Sequence, residues 1–305
     1  MKTVIYSFLR LFLGLTVFSS IGQNPYILVL GIAQDGGYPQ VGCNQNCCEQ
    51  YRLGNEIRKL VSCIAIVDPV NKKSWMIDAT PDFPQQYYNL MKKSGVVLDG
   101  IVLTHAHIGH YSGLMYLGRE VMGSIKMPVY TMPRMKSFIE KNGPWSQLVK
   151  LNNIELVDLE DGQFLTLTDQ VSIKPIQVPH RDEFSETVGF VIQSKSKQIV
   201  YIPDIDKWNK WNQSIVEHIK SSAMVLIDGT FYRNGEIKGR DMSEIPHPFI
   251  EESITLFDTL SSVEKKKIKF IHFNHTNPLL RNTNERKEVI RKGFQIAREG
   301  EKIEL

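Results

Sequence analysis

The sequence predicts a layered α/β protein in which two sheets pack face to face with helices on the outside. Short apolar runs of strand length alternate with helical patterns in both halves of the chain, which is the signature of stacked layers. No Gly/Ser-rich or Pro-rich linker divides the halves, so a single domain over 23–305 is expected. The 305 residues are 42% apolar, enough to bury a large core.

Tyr26 to Gly31 is a continuous apolar run that ends in the turn-rich Gln34-Asp35-Gly36-Gly37. Cys63 to Val67 and Trp75 to Asp78 predict paired strands split by a turn at Pro69 to Lys73. Phe83 to Ser94 has helical spacing with Asp82 as a cap, and Gly100 to Thr104 is the next buried strand. From Asn153 onward strands return at Glu155 to Asp158, Phe164 to Leu167, Val171 to Val178, Thr187 to Gln193 and Gln198 to Ile202. These are expected to form a second, largely antiparallel sheet. Ser214 to Ser221 predicts a helix, Ala223 to Asp228 a strand, Ile250 to Leu260 a helix, and Lys269 to Phe273 a last strand.

Residues 1–22 differ from the rest. Lys2 and Arg10 flank a short stretch, Leu11 to Phe18 run apolar without charge, and Ser20 and Gly22 offer small residues before a cut. This pattern predicts a secretory signal peptide, hence export to the periplasm or beyond. The run is too short for a spanning helix, so stable membrane insertion is not expected. The charge balance is near neutral, with 36 basic against 33 acidic residues. A nucleic-acid partner would call for a strong basic excess, so a small-molecule substrate is the better expectation.

Cys43, Cys47 and Cys48 crowd into one Gly-Cys-Asn-Gln-Asn-Cys-Cys segment, and Cys63 follows. Export permits disulfides. The close spacing equally suits a structural zinc ion.

The strongest chemical signal is Thr104-His105-Ala106-His107-Ile108-Gly109-His110-Tyr111, placed where an apolar strand ends. In an extended segment, side chains two apart share a face. His105 and His107 can therefore grip one ion, while His110 reaches a neighbouring one. His180, Asp204 and His275 each follow a strand-like run as well. Residues so far apart in sequence can meet only if the fold gathers those strand ends at one edge.

These motifs together resemble the metallo-β-lactamase superfamily over nearly the whole length, which implies an αββα four-layer sandwich. The resemblance implies that Asp78, in Ile77-Asp78-Ala79, supports the metal loop by hydrogen bonds. It further implies that His105, His107 and His180 hold a first ion, and that His110, Asp204 and His275 hold a second, with Asp204 able to bridge. The opening Gly31-Ile32-Ala33-Gln34-Asp35-Gly36-Gly37-Tyr38-Pro39-Gln40 and Asn274-His275-Thr276-Asn277-Pro278-Leu279-Leu280 resemble the pyrroloquinoline quinone biosynthesis protein B-like members. One departure stands out: the superfamily usually carries an aspartate where this chain has Gly109, which leaves occupancy by one ion or two open.

The chemistry implied is hydrolysis of an ester, phosphodiester or amide-type substrate by metal-activated water. Zinc is the expected cofactor, as one or two ions, and iron or manganese suits the same donors. Asp204 would orient the attacking water. His247 and Tyr111 are candidates to protonate the leaving group, and Met132 to Trp145 is expected to wall the pocket. Asp206 and Asp228 read as turn and capping residues. Two other functions fit the same residues: a non-catalytic metal or small-ligand binder, for which Gly109 speaks, and iron-dependent oxidation.

Overall fold

Alternation along the first strands decides how the layers stack. In β1 (Tyr26–Gly31), Ile27 and Val29 face one core while Tyr26, Leu28 and Leu30 face another. In β2 (Cys63–Asp68), Ile64 and Ile66 join the first core and Cys63, Ala65 and Val67 the second. Both faces are covered, so every residue of these strands is buried. The computed structural model describes residues 24–305; the leader expected over 1–22 lies outside the described residues.

The first sheet continues through β3 (Lys73–Ile77), β4 (Gly100–Val102), β5 (Met127–Thr131) and β6 (Ile154–Asp158). The second is built from β7 (Leu165–Thr166), β8 (Val171–Gln177), β9 (Val188–Ser194), β10 (Gln198–Ile202), β11 (Met224–Asp228), β12 (Ile268–Ile271) and β13 (Gln295–Ile296), and β14 (Lys302–Glu304) returns to the first. The orders are β14-β1-β2-β3-β4-β5-β6 and β13-β12-β11-β10-β9-β8-β7.

Two sequence expectations are corrected. Ile154–Asp158 pairs parallel with Met127–Thr131 and so belongs to the first sheet. The second sheet is not largely antiparallel: β7 to β10 pair antiparallel, whereas β10, β11, β12 and β13 run parallel. The parallel half follows from its connections, since the helix Ile215–Ser221 crosses between β10 and β11 and the helix Ile250–Leu256 between β11 and β12.

Residues from both sheets, among them Ile66 and Ile192, share the inner core. The helix Phe83–Ser94 lays Phe83 and Leu90 on the outer face of the first sheet. Ile219, Ile250 and Ile254, from the two crossover helices, cover the second. The result is an α/β sandwich of the metallo-β-lactamase type, in αββα layers. Among the described residues no helix is long and apolar enough to cross a membrane.

Candidate metal centre

Chemistry-bearing residues gather just beyond the ends of strands in both sheets. Asp78 follows β3 and adopts φ 74°, a conformation rare for anything but glycine. That twist aims its carboxylate at the next loop. Its oxygens accept from the backbone N–H of Thr104 at 2.8 Å and from the Thr104 hydroxyl at 2.9 Å, and one lies 2.7 Å from Nδ1 of His110. The hydroxyl spends its proton on the carboxylate, so it can only accept from Nδ1 of His105, 2.9 Å away. His105 and His110 are thereby fixed with their Nε2 lone pairs directed elsewhere.

The second sheet repeats the device. Asp228, the last residue of β11, accepts from the Thr230 hydroxyl at 2.7 Å, and Thr230 lies 2.9 Å from Nδ1 of His272. The other oxygen of Asp228 lies 2.7 Å from Nδ1 of His247 and accepts from Ile205 N. Asp228 is thus more than the turn residue its position suggests. His272 follows β12 and, like Asp78, takes a positive φ, 67°.

The free ring nitrogens converge. Nε2 of His105 lies 2.9 Å from Nδ1 of His107, whose own Nε2 contacts Glu183 at 3.4 Å. His180 completes this group, with its ring centroid 5.4 Å from that of His105 and 5.1 Å from that of His107. On the other side, Oδ2 of Asp204 is 3.0 Å from Nε2 of His110 and 3.1 Å from Nε2 of His272, while its Oδ1 is 3.8 Å from Nε2 of His180. Asp204 thus stands between the two groups. Buried Oδ2 of Asp204 and Nε2 of His110 and of His272 make no hydrogen bond. Buried polar atoms gathered this closely without hydrogen bonds fit the donor set of a metal ion.

The electrostatics agree with that donor set. Burial, aided by His110, holds His105 well below the ordinary imidazole range, and burial lowers His107 and brings His180 down to about 4. These three rings are therefore neutral at neutral pH. For Asp204, burial opposes ionisation, but His272 and His110 outweigh it and hold the carboxyl well below the usual range. Burial also opposes charge on His110, and there Asp78 and Asp204 prevail and raise it. A proton on His110 and a metal ion beside it are alternative ways to neutralise the same carboxylates.

His275 requires a correction. It does not join His110 and Asp204; that place belongs to His272, three residues earlier. His275 instead comes within 4.8 Å of Cys43, Cys47 and Cys48, measured between ligand atoms. The Sγ atoms of Cys43 and Cys47 are 3.8 Å apart, and all four cysteines are free thiols. Cys63 lies outside this group, because its position in β2 turns it to the helix-covered face, where Sγ approaches the carbonyl of Asp78.

His247 does reach the centre, its ring centroid 5.1 Å from that of His180. Tyr111 instead packs between Phe138 and Trp145. The Met132 to Trp145 stretch does not line the cavity beside the centre; Arg134 binds Asp182 and Glu186 and steadies the loop after His180. That cavity, of about 550 Å³, is lined by Gln177, His180, Thr187, Lys210, Trp211 and Asn212 among others. Sequence reasoning missed His272 and the support given by Asp228. It also missed Asp35, whose Oδ1 lies 3.1 Å from Nε2 of His110.

The β-lactamase superfamily domain profile matches residues 74–273, and the chain belongs to that superfamily. Within it, the chain is similar to coenzyme PQQ synthesis protein B. It is 27% identical over 315 residues to that protein of Methylobacillus flagellatus, covering 92% of this chain and 100% of the relative. Identity to the Acinetobacter baumannii protein is 26% over 316 residues, covering 92% and 100%. The fold matches zinc-bound PqqB of Methylobacterium extorquens with a TM-score of 0.77 at 21% identity, over 92% of this chain and 100% of that one. A diphosphatase of the PhnP family gives 0.67 at 20%, over 93% and 98%.

Proposed function

We propose that the chain is a metal-dependent hydrolase working from a two-ion centre on a small ester, phosphodiester or amide-type substrate. His105, His107 and His180 would hold one ion, and His110, His272 and Asp204 would hold the other, Asp204 lying between the two groups. The observation that carries this reading is the paired Asp-Thr-His arrangement, which leaves buried, unpartnered nitrogens facing a buried carboxylate. Zinc in such a site polarises a substrate oxygen and lowers the pKa of water to about 7. Iron and manganese suit the same donors.

The protein's own groups supply the rest. The polar cavity at His180 admits substrate beside the centre. His247 is the proton donor to the leaving group: burial works against its charge, but the Asp228 carboxylate beside Nδ1 raises its pKa and favours the protonated ring. Export follows from the leader-like pattern of residues 1–22. Cys43, Cys47, Cys48 and His275 would hold a separate structural zinc ion, since their ligand atoms all lie within 4.8 Å of one another.

Metal analysis of the purified protein, alongside turnover of a chromogenic phosphodiester, an ester and a β-lactam, tests the reading. His107→Ala is expected to abolish hydrolysis and release centre-bound metal. A metal-replete protein that hydrolyses none of the three probes would favour the binding-protein alternative, and oxygen consumption by an iron-loaded protein would favour oxidation.

A further inference from the structure

The turn after β1 bears on the position where the chain departs from the superfamily pattern. An added Cβ at Gly109 would lie 2.2 Å from Oδ1 of Asp35 and 2.6 Å from its Cα. The space a side chain at 109 would enter is therefore already filled by a carboxylate from elsewhere in the chain. Oδ1 of Asp35 is buried and without a hydrogen-bond partner, 3.1 Å from Nε2 of His110 and 3.8 Å from Nε2 of His272.

We propose that Asp35 is the carboxylate ligand that Gly109 cannot supply, and that it completes a four-ligand second site with His110, His272 and Asp204. Ligands about 2.0–2.1 Å from a tetrahedral ion stand about 3.3–3.4 Å apart. The four distances known within this set are 3.0, 3.1, 3.1 and 3.8 Å, scattered around that value.

The turn is held in place for this role. Gln34 N donates to Phe273 O and Phe273 N to Ile32 O, which tie the segment to the chain just after His272. Gly37 N closes the turn on Gln34 O, and Gln34 Nε2 donates to the other oxygen of Asp35. Two buried carboxylates packed this closely need positive charge beside them, and a cation held by all four side chains supplies it. Gly109 is then the residue that makes room for Asp35, and it no longer argues for a weakened second site.

This inference rests on the two-ion reading above, and substitution of Asp35 tests it. Zinc titration calorimetry and zinc-edge anomalous diffraction are applied to the wild-type chain, Asp35→Gly and Asp35→Asn. The expected wild-type result is two ions at the centre, one touching Asp35. Asp35→Gly should keep the ion at His105, His107 and His180 and bind the other more than about tenfold more weakly, a cost seen even for residues that only support a ligand. Asp35→Asn, which preserves size, should also weaken it, and guards against a folding defect in the glycine variant.

Unchanged second-ion affinity in folded Asp35→Gly, or a wild-type second ion that does not touch Asp35, overturns the inference. A wild-type centre with both ions but no hydrolysis removes the proposed activity and leaves the Asp35 assignment standing. A wild-type centre with no ion removes both.

Discussion

Asp228 and His247 are joined across 2.7 Å, carboxylate to Nδ1, at a point where the same carboxylate also accepts from Thr230. One buried side chain thus orients both the candidate proton donor and, through Thr230, the ring of His272. Asp228→Asn should therefore lower second-ion affinity by about 10–100-fold, the usual cost of losing a partner behind a ligand, and slow hydrolysis as well. Zinc titration reads the first effect; unchanged affinity would mean that Thr230 alone orients His272.

His272 and His275 should separate cleanly. His272→Ala is expected to remove the second centre ion and most hydrolysis. His275→Ala should leave the centre intact and release the ion held by the cysteines. Zinc-edge diffraction on each variant distinguishes the two losses, and a swap of outcomes would reverse their assignment.

The cysteine cluster should behave as thiolates around an ion. Denatured, chelated but unreduced protein should alkylate at all four cysteines, Cys63 included. Mass spectrometry showing two cysteines protected would instead reveal a disulfide.

Glu299 provides a pH test away from the metals. Burial pushes its carboxyl from the ordinary 4.5 up to about 7, while Leu60 N, which donates to it at 2.6 Å, and Lys59 pull it down. A raised acid binds its proton more tightly in the folded chain. Stability from this group is therefore present at low pH, declines between about 4.5 and 7, and is absent above. Glu299→Gln should leave stability near pH 4 unchanged and raise it at pH 8, by no more than about 1 kcal/mol because water screens this exposed carboxylate. Urea unfolding at both values checks this; equal shifts at both would rule out titration as the cause.

Much of the architecture was legible because strands buried on both faces leave continuous apolar runs, and because His105, His107, His110, His180 and Asp204 each follow one. His272 was harder to see. It sits between Ile271 and Phe273 and reads as part of the strand, whereas His275, in a polar turn, looks like a ligand. Its positive φ, which swings the ring out of the strand's register, leaves no mark in the sequence. Asp35 was hidden for a related reason: an aspartate before two glycines is an ordinary turn residue until the fold lays that turn against Gly109. Strand direction in the second sheet was misjudged because pairing depends on crossover helices, not on the apolar pattern of each strand.

The Asp78-Thr104-His105 and Asp228-Thr230-His272 arrangements hang from opposite sheets, so the cations would bridge a seam whose width is set by the side chains interleaved between those sheets. Metal spacing then becomes a gauge of interior packing. Trimming Ile66 or Ile192, deep in that shared core, should register as altered cooperativity between the two ions well before the chain unfolds.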